Sequence, residues 1–221
     1  MYTPSQFDKD DIQSLHDFIE SHSFATFITT DEAEPIASHL PLLLARSSGT
    51  HGRLIGHLAK ANPQWMSAEG RTTLSIFHGP HAYISPTWYE TQNAVPTWNY
   101  VAVHVYGKWK SVENKEGKAD IVRQYVEFYE SKMPAPWSMD ETEDGFIDRL
   151  LDAIVCSTIE IERIEGKWKL NQNHDSERRL RVIRSLQKTG GHQELKIAEL
   201  MLQTLPDESG VGINPVGDGD E

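Results

Sequence analysis

Tyr100-Val101-Ala102-Val103-His104-Val105-Tyr106 is the stretch on which the reading of the fold turns. Val101, Val103 and Val105 alternate with Ala102, His104 and Tyr106, the two-residue period of a strand with two unlike faces, and the pattern predicts a strand from Tyr100 to Val112. Upstream, Phe24-Ala25-Thr26-Phe27-Ile28-Thr29 and Pro35-Ile36-Ala37-Ser38-His39-Leu40-Pro41-Leu42-Leu43-Leu44 flank an acidic turn and read as a hairpin. Pro41 has no N–H to give to a ladder and marks an edge, bulge or strand end. Arg53 to Leu58, Thr72 to Phe77 and Ala82 to Ser85 continue the series, and Ser157 to Ile164 with Lys167 to Leu170 reads as a last pair across Glu165-Gly166.

Helical spacing is confined to other segments. Asp8 to His22 starts with a capping residue and repeats Ile12, Leu15, Phe18 and Ile19. Gly117 to Glu130 carries a broad apolar face, Gly145 to Ile154 is short, and Ser176 to Lys188 and Gln193 to Leu205 are joined at Gly190-Gly191. Six or more strands linked by short turns, with few helices between them, favour an antiparallel barrel with peripheral helices over a doubly wound sheet. A single domain over 1–205, with its C-terminal helices at about 176–205, is predicted, followed by an acidic, disordered tail at 206–221 that holds five acids and no base.

Composition narrows the function. The chain has 221 residues, a formal charge of −12 and 38% hydrophobic residues, enough apolar material for a sizeable core. No apolar run approaches the ~18 residues of a membrane span. The first residues lack a signal peptide's basic and apolar regions, and Cys156 is the only cysteine, which fits a reducing cytoplasm. The negative charge opposes general binding to phosphate backbones unless a basic face is concentrated somewhere.

Standard catalytic motifs are missing. The ten histidines form no His-x-x-x-His or His-Glu-x-x-His pair, so no metal ligand set is assigned, and His78-Gly79-Pro80-His81 reads as a turn. There is no nucleophile elbow, P-loop or Gly-x-Gly-x-x-Gly, and Cys156 lies in an apolar strand where a thiol is usually buried and inert. Three features carry more. Gly56-His57-Leu58-Ala59-Lys60-Ala61-Asn62-Pro63-Gln64-Trp65 puts a histidine, a cation and an amide where a strand leads into a helix, a place suited to a phosphate; it also reads as a capped helix start with a solvated Lys60.

Aromatic residues at Gly79 to Tyr89 and Val95 to Tyr100, on Pro-fixed loops, can cover a flat heteroaromatic ligand, make a subunit contact, or pack as ordinary core. From Lys167 to Lys196, eight bases face three acids, and Arg178, Arg181 and Arg184 can share a helix face. That face reads either as a phosphate-binding surface or as a solvated, acid-paired one, and the helix after it has only Lys196 as a base, a poor recognition helix.

Taken as an ordered set, Met1-Tyr2-x-Pro4-x-x-Phe7, His39-Leu40-Pro41, Gly56 to Trp65, Gly79 to Tyr89, Val95-Pro96-Thr97-Trp98-Asn99-Tyr100 and Leu170-x-Gln172-Asn173 resemble the PaiB family over residues 1 to about 205. Its members are described as FMN-binding negative transcriptional regulators, or protease synthase and sporulation regulatory proteins. The resemblance implies an α+β fold, the antiparallel FMN-binding split β-barrel with peripheral helices of the pyridoxamine-phosphate-oxidase-like superfamily. It also implies a cytoplasmic homodimer with FMN at the subunit interface and a regulatory role.

By resemblance, His57, Lys60 and Asn62 contact the phosphate and ribityl chain, and Ser38, His39, Leu40 and Pro41 lie along the flavin ring. Trp88, Thr97, Trp98 and Asn99 come from the partner chain, and Lys169, Gln172 and Asn173 belong to the C-terminal motif. Pyridoxamine-phosphate oxidases place arginines in the strand where this chain has His39-Leu40-Pro41, so their substrate specificity does not carry over. Two other functions stay open: a flavin-dependent oxidoreductase acting on a small molecule, and haem binding through a loop histidine. DNA contact, if made, falls to Arg178, Arg181 and Arg184.

Overall fold

The structure is a computed structural model that describes residues 1–32, 34–143 and 145–206. The strands are β1 (Asp8–Lys9), β2 (Phe24–Asp31), β3 (Glu34–Pro41), β4 (Leu43–Ala45), β5 (Arg53–Ala59), β6 (Thr72–Ile84), β7 (Thr97–Val112) and β8 (Ile154–Lys169). The helices are α1 (Ile12–Ser21), α2 (Gln64–Ala68), α3 (Lys115–Glu130), α4 (Phe146–Leu151), α5 (Ser176–Thr189) and α6 (His192–Gln203). One sheet runs β3-β2-β6-β7-β8-β5-β4, with β1 added to β8. The pairings β1–β8, β2–β3, β2–β6, β4–β5 and β5–β8 are antiparallel. The path is not closed among the described residues: β3 and β4, joined through Leu42, are its two ends.

The predicted β2–β3 hairpin forms, with Asp31 opposite Glu34 and Glu32 in the left-handed region at φ 50°. Pro41 ends β3, and Leu42 turns the chain by donating its N–H to the Ser23 carbonyl at 2.8 Å. Helix α1 begins later than predicted because Asp11, not Asp8, is the cap: its carboxylate accepts from Ser14 N at 2.9 Å. Asp8 and Lys9 instead pair with Lys167 and Gly166.

Two predicted turns are strand interior. β6 runs unbroken through His78-Gly79-Pro80-His81, and β8 runs unbroken through Glu165-Gly166. Both glycines serve close approach. A Cβ on Gly79 would sit 2.7 Å from the Phe18 ring, and one on Gly166 would sit 2.4 Å from Leu15 Cδ2 and 2.7 Å from the Lys9 carbonyl. Helix α1 presses on the sheet at these two points, so each glycine is a gap for a side chain rather than a reversal of the chain.

The chain divides into two compact units, one of Met1–Gly79 with Val101–Trp168, the other of Pro80–Tyr100 with the chain from Lys169. In the first, Val101, Val103, Val105 and Trp109 of β7 are buried, and Phe27 meets Trp109 with ring centroids 4.9 Å apart. Helix α3 covers a second cluster of Leu43, Ile55, Ile121, Tyr125 and Cys156. There the Tyr125 hydroxyl is shared between the Pro41 carbonyl at 2.6 Å and the Ile55 carbonyl at 3.0 Å. Burial pushes the Cys156 thiol up to about 11, as an inert core cysteine requires.

In the second unit α5 and α6 bury Val182, Ile183 and Leu186 with Ile197, Ala198 and Met201. Gly190 closes α5 at φ 75°, its N–H on the Leu186 carbonyl at 3.1 Å. The tail predicted at 206–221 lies, beyond Pro206, outside the described residues. Among the described residues no helix is long and apolar enough to cross a membrane.

Candidate functional site

The predicted phosphate loop is fixed by its own backbone. Lys60 N donates to the Ala153 carbonyl at 2.8 Å, Asn62 N to the Ala59 carbonyl at 2.9 Å, and Trp65 Nε1 to the Lys60 carbonyl at 3.2 Å. Asn62 Oδ1 then accepts from Gln64 N at 3.0 Å, a local side-chain turn that leaves Asn62 Nδ2 to donate to Ser38 Oγ at 3.1 Å. Ser38 Oγ donates to Gln64 Oε1 at 2.5 Å, and Gln64 Nε2 donates to the carbonyls of Phe27 at 3.3 Å and Ile36 at 3.1 Å. Gln64 is buried and each polar atom of its amide is used. Its place in the loop-to-helix motif was visible in the sequence, but its role as the joint between β2, β3 and α2 was not. At the rim Lys60 is exposed, and its ammonium has no partner among the described residues. Helix α2 has only five residues, so an anion here would rely on Lys60 and Asn62 rather than on a helix dipole.

His57 stands apart from this network. Its ring meets Tyr125 edge-on, with centroids 5.3 Å apart, and its Nδ1 is buried without a hydrogen-bond partner among the described residues. Burial holds its pKa below the usual histidine value, so the imidazole is neutral at pH 7.

Alternate residues of β3 do different work. Ser38 joins the Gln64 network, Leu40 is buried, and the Pro41 carbonyl serves Tyr125. His39, on the other face, is exposed; its Nδ1 lies 3.2 Å from Thr26 Oγ1, which also lies 3.3 Å from His78 Nε2. As an end strand, β3 pairs only with β2 among the described residues, leaving one edge of its backbone outside the ladder.

In the second unit the predicted residues hold one another. Lys169 Nζ donates to Thr97 Oγ1 and, at 2.5 Å, to the Trp98 carbonyl, fixing the start of β7 while the Trp98 ring stays 53% exposed. Asn99 is fully buried, its Nδ2 on Met201 Sδ at 3.4 Å, so its side chain is core and faces α6. Gln172 Oε1 accepts from Leu170 N at 2.7 Å, and exposed Asn173 touches only His174 at 3.4 Å among the described residues. Tyr89, at the end of the 3-10 turn Pro86–Tyr89, is a centre the sequence reading passed over. Asn171 Nδ2 donates to its hydroxyl at 3.3 Å, and the Arg178 guanidinium lies 3.9 Å above its ring.

Arg181 is paired with Glu177 at 2.6 Å. Arg184 is exposed at a cavity of about 300 Å³, which Trp88, Glu90 and Glu177 also line. Of the three α5 arginines, Arg178 is stacked on Tyr89 and Arg181 is paired, while Arg184 is exposed. No three His, Cys, Asp or Glu side chains converge on a metal position among the described residues.

The model of the family described as "Putative FMN-binding domain" matches residues 1–163. The chain is similar to "Protease synthase and sporulation protein PAI 2" of Bacillus subtilis, with 38% identity over 206 residues, 93% of this chain and 98% of that protein. Among solved structures it is similar to the flavocytochrome Anf3 from Azotobacter vinelandii, with a TM-score of 0.55 and 13% identity over 78% of this chain and 74% of that one. It is also similar to the FAD and heme binding protein from Mycobacterium smegmatis, with a TM-score of 0.53 and 12% identity over 83% and 80%. At such identities the two structures bear on the fold alone, an α+β antiparallel split β-barrel with peripheral helices.

Proposed function

The chain belongs to the family of FMN-binding-domain proteins that includes the Bacillus subtilis PAI 2 protein, and from that premise we propose that it is an FMN-binding, homodimeric regulatory protein of the cytoplasm. The observation that carries this reading is the network joining Ser38, Asn62 and Gln64, with the ammonium of Lys60, unpartnered among the described residues, at its rim. A phosphate needs a cation and fixed donors, and a flavin ring needs a flat run of backbone with free hydrogen-bonding groups. Lys60 and Asn62 supply the first, and the edge of β3 from Ser38 to Leu40 that lies outside the ladder supplies the second, up to Pro41, whose carbonyl is held by Tyr125. His57, neutral and with an unsatisfied buried Nδ1, suits a ribityl hydroxyl better than a second charge on the phosphate.

From the second unit, Trp88, Thr97 and Trp98 are the residues proposed to cover a flavin held by another copy, with Lys169 setting the position of Thr97 and Trp98. Asn99, anchored on Met201, acts in this reading as a support for that segment, while Gln172 and Asn173 stay with the C-terminal motif. A bound flavin would supply one- or two-electron transfer. Regulation is proposed to run through flavin occupancy of the dimer and not through α5, because Arg178 is stacked on Tyr89 and Arg181 is paired with Glu177.

The test is an absorbance spectrum of purified protein before and after FMN addition and desalting, with sedimentation to give the mass. A dimer that retains flavin absorbance, and loses it in Lys60→Ala, is expected. A dimer that stays colourless after FMN is added would overturn the reading.

A further inference from the structure

We propose that His39 and His78 form a binding site for a divalent transition-metal ion on the exposed face of the sheet. β2 lies between β3 and β6, with Thr26 directly opposite His39 and, through the Ala25–Phe77 pairing, diagonal to His78. Two ring nitrogens, His39 Nδ1 and His78 Nε2, thus converge on one hydroxyl, at 3.2 and 3.3 Å. Threonine has a single proton to give, so it cannot donate to both imidazoles, and one ring must present an N–H instead. Both contacts are longer than the usual ~2.7–2.8 Å of a hydroxyl bond. The hydroxyl occupies the place between the rings but holds neither tightly.

A metal ion answers the same geometry more strongly. Imidazole nitrogens bind zinc at about 2.0–2.1 Å. Both histidines are exposed, so small side-chain rotations can bring the nitrogens from their present contacts to an ion between them. The donor set selects the ion: two imidazoles without a carboxylate suit Cu²⁺, Ni²⁺ or Zn²⁺ and not Mg²⁺ or Ca²⁺, and Cu²⁺ stands highest in the affinity order. Water completes the coordination on this open face. The strand alternation of β3 separates this site from the Gln64 network, since Ser38 and His39 leave opposite faces. An ion held here would tie the end strand β3 to β6 across β2 and stabilise the fold in proportion to its occupancy.

The experiment is titration of the full chain with Cu²⁺ and Zn²⁺ by calorimetry, with Mg²⁺ as the contrast and thermal unfolding in parallel. One saturating Cu²⁺ per chain and a raised Tm are expected. His78→Ala should weaken Cu²⁺ binding by at least about tenfold while FMN uptake persists. Thr26→Val, which removes the competing hydroxyl but neither ligand, should retain the ion. Electron paramagnetic resonance of bound Cu²⁺ reads the ligands without any substitution, and coupling to imidazole nitrogen is expected. The proposal is overturned by absence of saturable uptake, by a resonance without nitrogen coupling, or by undiminished uptake in a His39→Ala/His78→Ala double variant.

Discussion

Gln64 and Arg178 are both polar side chains drawn into apolar surroundings, and the two units of the chain use them differently. Gln64 spends its amide on Ser38 and on two strand carbonyls, and through Ser38 the same network reaches Asn62 in the loop that carries the exposed Lys60, unpartnered among the described residues. Arg178 lies flat on Tyr89, and its Nε is buried without a hydrogen-bond partner among the described residues. The first arrangement fixes a loop and leaves a cation over. The second uses its cation to hold an aromatic ring. The two polar clusters therefore differ in what they have left to offer a ligand.

The contrast is tested most severely at Gln64. Gln64→Ala strands the Phe27 and Ile36 carbonyls and the Ser38 hydroxyl, and should cost about 2–3 kcal/mol in urea unfolding, with flavin uptake lost. A cost below about 0.5 kcal/mol would mean that the network does not hold the loop. Next comes Lys60→Ala, expected to weaken FMN binding by about 10- to 100-fold, the worth of one charge-assisted contact, with an unchanged Tm. Together the two variants separate building the site from using it. Arg178→Met should cost about 1 kcal/mol, by loss of the cation over Tyr89, and leave FMN affinity of the first unit's loop intact.

Acid is expected to act on both units in one direction. Burial lowers the pKa of His57 in the first unit; in the second, burial and then the charge of Arg178 lower that of His174. A histidine whose folded pKa is depressed favours folding above its unfolded value near 6.5. As pH falls through about 6.5 toward the folded pKa, the unfolded chain takes up a proton that the folded chain resists, and stability declines. Unfolding midpoints measured from pH 7 to pH 5 should fall, less steeply in His57→Phe. Arg178→Met should flatten the share due to His174 and leave that of His57 unchanged. The smallest effect is expected at Glu177→Gln, an exposed pair one helical turn from Arg181, at about 0.3–0.5 kcal/mol by chemical denaturation.

Much of the fold was legible because strand and helix periods are local. The β7 alternation, the β2–β3 hairpin, the end of β3 at Pro41 and the C-terminal helix pair joined at Gly190 all follow from neighbours in sequence. Gly79 and Gly166 misled for a definite reason: a glycine that reverses the chain and a glycine that makes room for Phe18 or Leu15 both lack a Cβ, and only the partner distinguishes them. Of the candidate site, the Lys60–Asn62 loop was legible as a motif, whereas Asn99, by resemblance a partner-chain contact to the flavin, is core against Met201.

By itself, then, the sequence determined most of the strand and helix segments, that the core is large enough for one sheet, and that an ordered set of motifs matches a flavin-binding family. Only the tertiary structure decided which polar residues meet. Ser38 reaches Gln64, and Thr26 brings His39 toward His78, through strand register. Tyr89 collects Asn171 and Arg178 from the segment that follows β8. Periodicity is set by bonds along the chain, but convergence is set by which strands lie side by side, and no spacing along the sequence encodes that.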